Sequence, residues 1–151
     1  MNERFETFTV LVAKISRNIR KIKNYEMEEY DLRSPHISCL YYLYSEGGLT
    51  ATDLCERCEE DKATISRSLD YLEKNGYIVC ESKFAKRYKS PLRLTEKGIE
   101  VGKEIYDKIN RVLGQVGVDL TDEERRIFYK FLTIISNDLE KITESFEKER
   151  E

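Results

Sequence analysis

The stretch Asp61-Lys-Ala-Thr-Ile-Ser-Arg-Ser-Leu-Asp-Tyr-Leu-Glu-Lys-Asn75, followed by Gly76-Tyr-Ile, decides how the chain is read. Ile65, Leu69 and Leu72 recur at i, i+4 and i+7, which makes one apolar stripe on a helix. Ala63, Arg67, Asp70 and Lys74 fall on the opposite side of the helical wheel. Asp61 can cap the first turn, and Asn75-Gly76 is a stop, because glycine enters the left-handed conformation without strain. Such a helix buries one face and presents another that is short, polar and carries a guanidinium. An ordinary amphipathic surface helix shows the same pattern, so the neighbouring segments have to discriminate.

Upstream, Leu49-Thr50-Ala-Thr-Asp53-Leu54 holds three helix-start signals together. Thr50 caps, Asp53 sits at the capping-box position, and Leu49 with Leu54 has the spacing of a hydrophobic staple. The short helix that follows ends near Cys58, and Glu59-Glu60-Asp61 turns the chain into the next one. A short helix, a tight turn and a second helix are helix-turn-helix spacing. Downstream, Tyr77-Ile-Val-Cys-Glu-Ser82 has strand character, Lys83–Lys89 is a basic loop, and Ser90-Pro-Leu-Arg-Leu94 returns as an edge strand. A hairpin with a cationic tip placed directly after a helix-turn-helix is a wing.

The two ends of the chain are helical. Phe5, Phe8, Val12, Ile15, Ile19 and Ile22 form a near-heptad seam, which suits a second chain or the helix's own domain equally well. Glu26–Asp31 reads as an acidic linker, and Ser34-Pro35 as an N-cap followed by proline at the first helical position. Ile37, Leu40 and Leu43 are the buried stripe of the second helix, flanked by Tyr41, Tyr42 and Tyr44, and Gly47-Gly48 ends it. Thr95 caps a later helix with the stripe Ile99, Gly102, Ile105/Tyr106, Ile109, Val112/Leu113 and Val116. Thr121-Asp-Glu-Glu124 is a second capping box, opening a helix that carries Phe128, Phe131/Leu132, Ile135, Leu139, Ile142 and Phe146. These seams exceed what one small winged domain needs, and a helical dimer interface is the economical explanation.

Composition sets the outer bounds. The chain has 151 residues, 36% charged and 40% hydrophobic, with two prolines and a net charge of −3. That argues against a protein that coats nucleic acid generally, but the distribution matters more than the total. Lys62 to Lys97 holds nine Lys/Arg and four Asp/Glu, a local +5, which leaves −8 for the remainder. A basic segment on an acidic body suggests one surface for a polyanion and another that repels it. No apolar run approaches membrane-spanning length and Met1-Asn-Glu-Arg-Phe lacks a signal-peptide layout, so the expected location is the cytoplasm, without a membrane partner.

The order helix, helix, helix-turn-helix, wing, two long helices resembles the multiple-antibiotic-resistance regulator (MarR) family of winged-helix repressors. Thr64-Ile-Ser-Arg67, Leu69-Asp-Tyr-Leu-Glu-Lys-Asn-Gly76-Tyr-Ile and Leu94-Thr-Glu-Lys-Gly98 carry the likeness, which covers essentially the whole chain. It implies a mainly α protein with a small β-hairpin wing and one MarR-like domain over 1–151. Residues 34–98 would be the winged helix-turn-helix, and 1–30 with 99–151 a helical dimerisation region. It further implies a homodimer on double-stranded DNA at a pseudo-palindromic operator, with the helix from Asp61 in the major groove and the wing tip in the minor groove. A ligand-responsive repressor is the expected function, with no cofactor and no catalytic role.

Base-reading residues lie in the N-terminal turns of a recognition helix, here Lys62, Ala63, Thr64, Ser66 and Arg67. Arg67 suits bidentate contact with guanine, worth about 1–3 kcal/mol of discrimination, or a phosphate, which positions without reading. Lys86, Arg87 and Lys89 would add sequence-independent, salt-dependent affinity. The family's wing commonly carries Asp-x-Arg; by register from Leu94-Thr95 those positions are Lys86 and Tyr88, with Arg87 between. The usual turn glycine is Glu59, and Glu60 replaces the apolar residue after it, which puts two carboxylates near the DNA-facing turn.

A tyrosine-rich second helix either fills a core edge or, with His36, Tyr41 and Tyr44, lines a pocket for a small aromatic effector. Cys55-Glu-Arg-Cys58 is formally C-x-x-C, but without the βαβ context of a redox dithiol it reads as buried core. The alternative is a redox-responsive regulator using Cys55 and Cys58. The peroxide-sensing branch of the family uses a first-helix cysteine, and this first helix has none. A metal site is not expected, since His36 is the one histidine and no second Cys pair has ligand spacing. No triad or Gly-rich phosphate loop points to an enzyme. A winged-helix protein-interaction module without DNA readout is the rival of another class.

Overall fold

The computed structural model describes residues 2–80 and 89–150. It divides into a unit running to Asn110 and a second from Arg111 to Glu151. In order, the elements are α1 (Asn2–Glu26), a 3-10 turn (Glu28–Tyr30), α2 (Ser34–Ser45), α3 (Ala51–Cys58), α4 (Lys62–Lys74), β1 (Ile78–Cys80), β2 (Leu92–Leu94), α5 (Glu96–Leu113) and α6 (Asp122–Lys148). No described helix is long and apolar enough to cross a membrane.

The core of the first unit is built by α2, α3 and α4 with the hairpin. Ile37, Leu40, Leu54, Ile65, Leu69 and Leu72 are fully buried, as their periodicity predicts. Burial of each such side chain stabilises by about 1.5–3 kcal/mol. The strands β1 and β2 pair antiparallel with Ile78 opposite Leu94 and Cys80 opposite Leu92. Leu92 N–H also donates to the Leu49 carbonyl at 2.9 Å, which ties the hairpin to the entrance of α3.

Three local readings are corrected. The cap of α2 is Arg33 and not Ser34. His36 Nδ1 accepts from Arg33 N–H at 3.0 Å, while buried Ser34 donates its own N–H to Asn24 Oδ1 at 2.9 Å. The acidic linker is ordered, because Met27 and Leu32 on either side of the 3-10 turn are both core residues. In α5 the buried face is Gly98, Val101, Gly102 and Ile105, whereas Ile99 is 52% exposed. The two glycines select that face: a Cβ at Gly98 would collide with the Tyr77 carbonyl oxygen, and one at Gly102 would press on Tyr44 Cβ at 3.0 Å.

In the second unit, α6 starts with its expected capping box. Thr121 Oγ1 accepts from Glu124 N–H at 3.2 Å, and Glu124 Oε2 accepts from Thr121 N–H at 2.7 Å. Its seam residues Phe128, Phe131, Leu132, Ile135, Leu139, Ile142 and Phe146 are exposed, and so are Val12, Ile15, Ile19 and Ile22 of α1.

Candidate nucleic-acid interface

The helix α4 is held at both ends. Asp61 Oδ1 accepts from Thr64 N–H at 2.6 Å, and this bond holds the Asp61 carboxyl below its ordinary range. At the other end Gly76 has φ +75°, and Tyr77 N–H closes the cap on the Leu72 carbonyl at 2.8 Å. Thr95 then joins helix and hairpin. Its hydroxyl donates to the Gly76 carbonyl at 2.5 Å and accepts from Gly98 N–H at 3.1 Å, while its own N–H donates to the Tyr77 carbonyl at 3.0 Å. Lys97 Nζ donates to the Asn75 carbonyl at 2.8 Å and lies 4.2 Å from the centre of the Tyr77 ring. The Leu-Thr-Glu-Lys-Gly sequence at 94–98 is therefore the buttress that fixes α4 against the wing. Its spacing was visible in the sequence, but the roles of Thr95 and Lys97 toward α4 were not.

With its back buried, α4 presents Lys62, Ala63 and Arg67 exposed and Thr64 and Ser66 half-buried. Arg67 Nη2 donates to Thr64 Oγ1 at 3.3 Å, so these two side chains form one polar constellation one turn from the N-terminus. Of the wing residues, Lys89 is exposed beside β2, and Lys86 and Arg87 lie outside the described residues. Glu59 occupies the left-handed region at φ +53°, the conformation for which glycine is the usual residue. It stands one residue before Glu60, at the turn into α4.

The aromatic residues separate into two groups. His36 stacks on Tyr71 of α4 at 4.3 Å between ring centres, and Tyr71 donates its hydroxyl to the Asp31 carbonyl at 3.0 Å. Burial lowers the His36 pKa. Tyr41 and Tyr44 instead pack around Tyr106 of α5, at 5.5 and 5.6 Å. Tyr44 also borders an apolar cavity of about 290 Å³ against Leu43, Leu92, Leu94 and Ile99. Tyr30 donates to Glu104, and this bond pushes its pKa up to about 12.

Cys39 is fully buried in α2, while Cys55 and Cys58 are half-buried in α3. The interaction of the Cys39 and Cys58 thiols pushes the Cys39 pKa up and lowers that of Cys58. No group of three His, Cys, Asp or Glu among the described residues is placed to hold a metal ion.

Comparison with known proteins gives concordant results. Residues 30–87 match the sequence model of the MarR family. The chain is 27% identical over 115 residues to the HTH-type transcriptional regulator YfiV of Bacillus subtilis, covering 76% of this chain and 72% of that one. A solved MarR family regulator from Neisseria meningitidis is similar with a TM-score of 0.81, at 20% identity, over 94% of this chain and 97% of the other. The Staphylococcus aureus MepR–DNA complex is similar with a TM-score of 0.76, at 22% identity, over 87% and 97%. At these identities the two structures establish the fold, a winged helix-turn-helix flanked by terminal helices.

Proposed function

We propose that this chain, a DNA-binding transcriptional regulator of the MarR family, is a homodimeric, ligand-responsive repressor that reads a pseudo-palindromic operator with α4. The observation that carries the reading is the exposed edge Lys62, Ala63 and Arg67, with half-buried Thr64 bonded to Arg67, on a helix whose opposite face is fully buried. A rigid helix with polar N-terminal turns suits the major groove. Arg67 is assigned to a guanine edge or a phosphate, Thr64 and Ser66 to phosphates or thymine methyls, Lys62 to a phosphate, and Ala63 to close approach. Lys86, Arg87 and Lys89 are assigned to the backbone across the adjacent minor groove. The location that goes with this reading is the cytoplasm, where such a regulator would meet its operator.

The exposed apolar seams of α1 and α6 support the homodimer, because a contiguous apolar stripe on a chain in water marks an interaction surface. Residues 1–30 and 99–151 are accordingly assigned to dimerisation and 34–98 to DNA binding, within one functional domain. Tyr41 and Tyr44 with Tyr106 offer stacking surfaces to a small aromatic effector, and His36 reports on α4 through Tyr71. Such an effector releases DNA only through different affinities for two dimer geometries. The acidic turn Glu59-Glu60-Asp61 favours a second reading, a winged-helix module for protein partners.

Selection from a random-sequence duplex pool distinguishes the two. Enrichment of an inverted repeat with half-site centres about 10 bp apart is expected for the dimeric reader. A pool that stays random after repeated rounds would contradict it.

A further inference from the structure

We propose, on the reading of α4 as the DNA-reading helix, that His36 is a positioning residue: its neutral imidazole, seated on Tyr71, sets the orientation of α4 against α2. Three contacts meet at the entrance of α2. The His36 and Tyr71 rings lie 4.3 Å apart between centres and 16° from parallel. His36 Nδ1 accepts from Arg33 N–H at 3.0 Å, and Tyr71 donates its hydroxyl to the Asp31 carbonyl at 3.0 Å. The short segment from Asp31 to His36 thus holds Tyr71 at two points, its ring and its hydroxyl.

That segment is itself fixed. Leu32 and Ile37 are core residues, Ser34 donates its N–H to Asn24 Oδ1 at 2.9 Å, and Asp31 N–H closes the 3-10 turn on the Glu28 carbonyl at 3.1 Å. Tyr71 stands four residues beyond Arg67, the spacing of neighbours on one face of a helix. A rotation of α4 that displaces Tyr71 therefore displaces the guanidinium that the helix presents. Burial of Ile65, Leu69 and Leu72 fixes α4 on the core, but hydrophobic contact is non-directional. The stack and the hydroxyl bond have direction, and they add the rotational constraint.

The imidazole fills this role only when neutral. Nδ1 accepts a hydrogen bond, so the neutral ring carries its proton on Nε2. A second proton sets N–H against the Arg33 N–H, donor against donor, and turns the ring out of its seat on Tyr71. The charged and titratable groups facing His36 are Asp31 and Arg33 at the entrance of α2 and Tyr71 from α4. Burial disfavours the imidazolium, the Asp31 carboxylate favours it and the Arg33 guanidinium opposes it, which leaves the pKa below its ordinary value. With the folded-state pKa below the unfolded one, the seat is intact above about pH 6.5 and is lost as pH falls through the folded value.

The direction of the pH effect separates this role from plain electrostatics. A new positive charge near DNA would tighten binding as pH falls. Loss of the seat weakens it, because apparent affinity scales with the fraction of protein in the reading geometry.

The test is fluorescence anisotropy of the full-length chain on the duplex enriched from the random pool, between about pH 7.5 and about pH 5.5 at constant ionic strength. Affinity should fall about three- to tenfold, the size of one lost hydrogen bond. His36→Asn, whose Oδ1 takes the place of Nδ1 without titrating, should give a level profile. Tyr71→Leu, which removes the stack, should bind at the higher pH as weakly as the parent does at the lower one. A parent affinity that stays level or rises, or a His36→Asn variant that keeps the parent's slope, overturns the proposal. His36 is the chain's one histidine, so its ring resonances identify themselves, and those of Tyr71 are the ones missing from Tyr71→Leu. Without DNA, the two rings should shift with one shared midpoint below about pH 6.5, and Tyr71 signals that ignore the His36 midpoint overturn the seat. A chain that enriches no duplex contradicts the DNA reading instead, while the NMR titration still decides whether His36 holds Tyr71.

Discussion

Glu59 and Gly98 occupy opposite kinds of backbone constraint, and both bear on how α4 is held. At Glu59 the backbone is left-handed at φ +53° although the residue has a Cβ, which costs about 1–2 kcal/mol relative to an unstrained conformation. Glu59→Gly relieves that strain, offset in part by the greater freedom of glycine in the unfolded chain, for a net gain of about 0.5–1 kcal/mol. It also removes a carboxylate near the proposed DNA surface. Denaturant unfolding should show the gain, while Glu59→Gln, which removes only the charge, should tighten DNA binding with no gain in stability. At Gly98 the neighbour is a backbone carbonyl, that of Tyr77, and cannot swing away. Gly98→Ala should therefore destabilise by about 3 kcal/mol. A thermal melt should register a fall in Tm of roughly 5–10 °C.

At the scale of elements, three carboxylates act as caps or capping-box partners, and each has its pKa lowered by a backbone N–H: Asp53 by Thr50, Asp61 by Thr64 and Glu124 by Thr121. A folded-state pKa below the unfolded value stabilises above the unfolded pKa, near 4, and the contribution is lost as pH falls through the folded pKa. Asp53→Asn keeps a cap oxygen but no longer titrates. It should be less stable than the parent at pH 7, and the difference should shrink below about pH 4 in urea titrations; a gap independent of pH would contradict the assignment. These caps were legible because their partners lie three residues apart and the residue types are specific. The stripe of α4 was legible for a like reason, since Ile65, Leu69 and Leu72 recur at i, i+4 and i+7, and the two strands of the hairpin were legible while their register was not. The buried face of α5 was legible only in part: Gly102 and Ile105 belong to the expected stripe, but apolar residues populate more than one face, and contact with Tyr77 puts Gly98 rather than Ile99 inside. The stack of His36 on Tyr71 was hidden for a related reason: its members lie on different helices, and local periodicity does not encode which helix faces which.

At the scale of the whole molecule, the exposed seams of α1 and α6 set the central problem of stability and function together. Left in water, Ile15, Ile19, Leu139 and Ile142 forgo about 25 cal/mol for each Å² of apolar surface that a partner could cover. Sedimentation should find a dimer at micromolar concentration. The double variant Ile15→Glu, Leu139→Glu should shift it to monomer and weaken operator binding by 100-fold or more, because one helix-turn-helix reads only a half-site. A dimer that survives both charges would place the interface elsewhere. The net charge of +5 from Lys62 to Lys97, against −8 in the remainder, concentrates the attraction to a polyanion in the proposed DNA-binding segment.

Fluorescence anisotropy of the reduced protein on the duplex upstream of its own gene, with a scrambled duplex as control and a salt series for each, tests the DNA-reading role of α4 most directly. The account predicts preference for the upstream duplex, a steep fall of affinity with salt, and a roughly 10- to 100-fold loss of that preference in Arg67→Ala. Equal affinity for the two duplexes at every salt concentration, or an Arg67→Ala variant that discriminates as well as the parent, would contradict it.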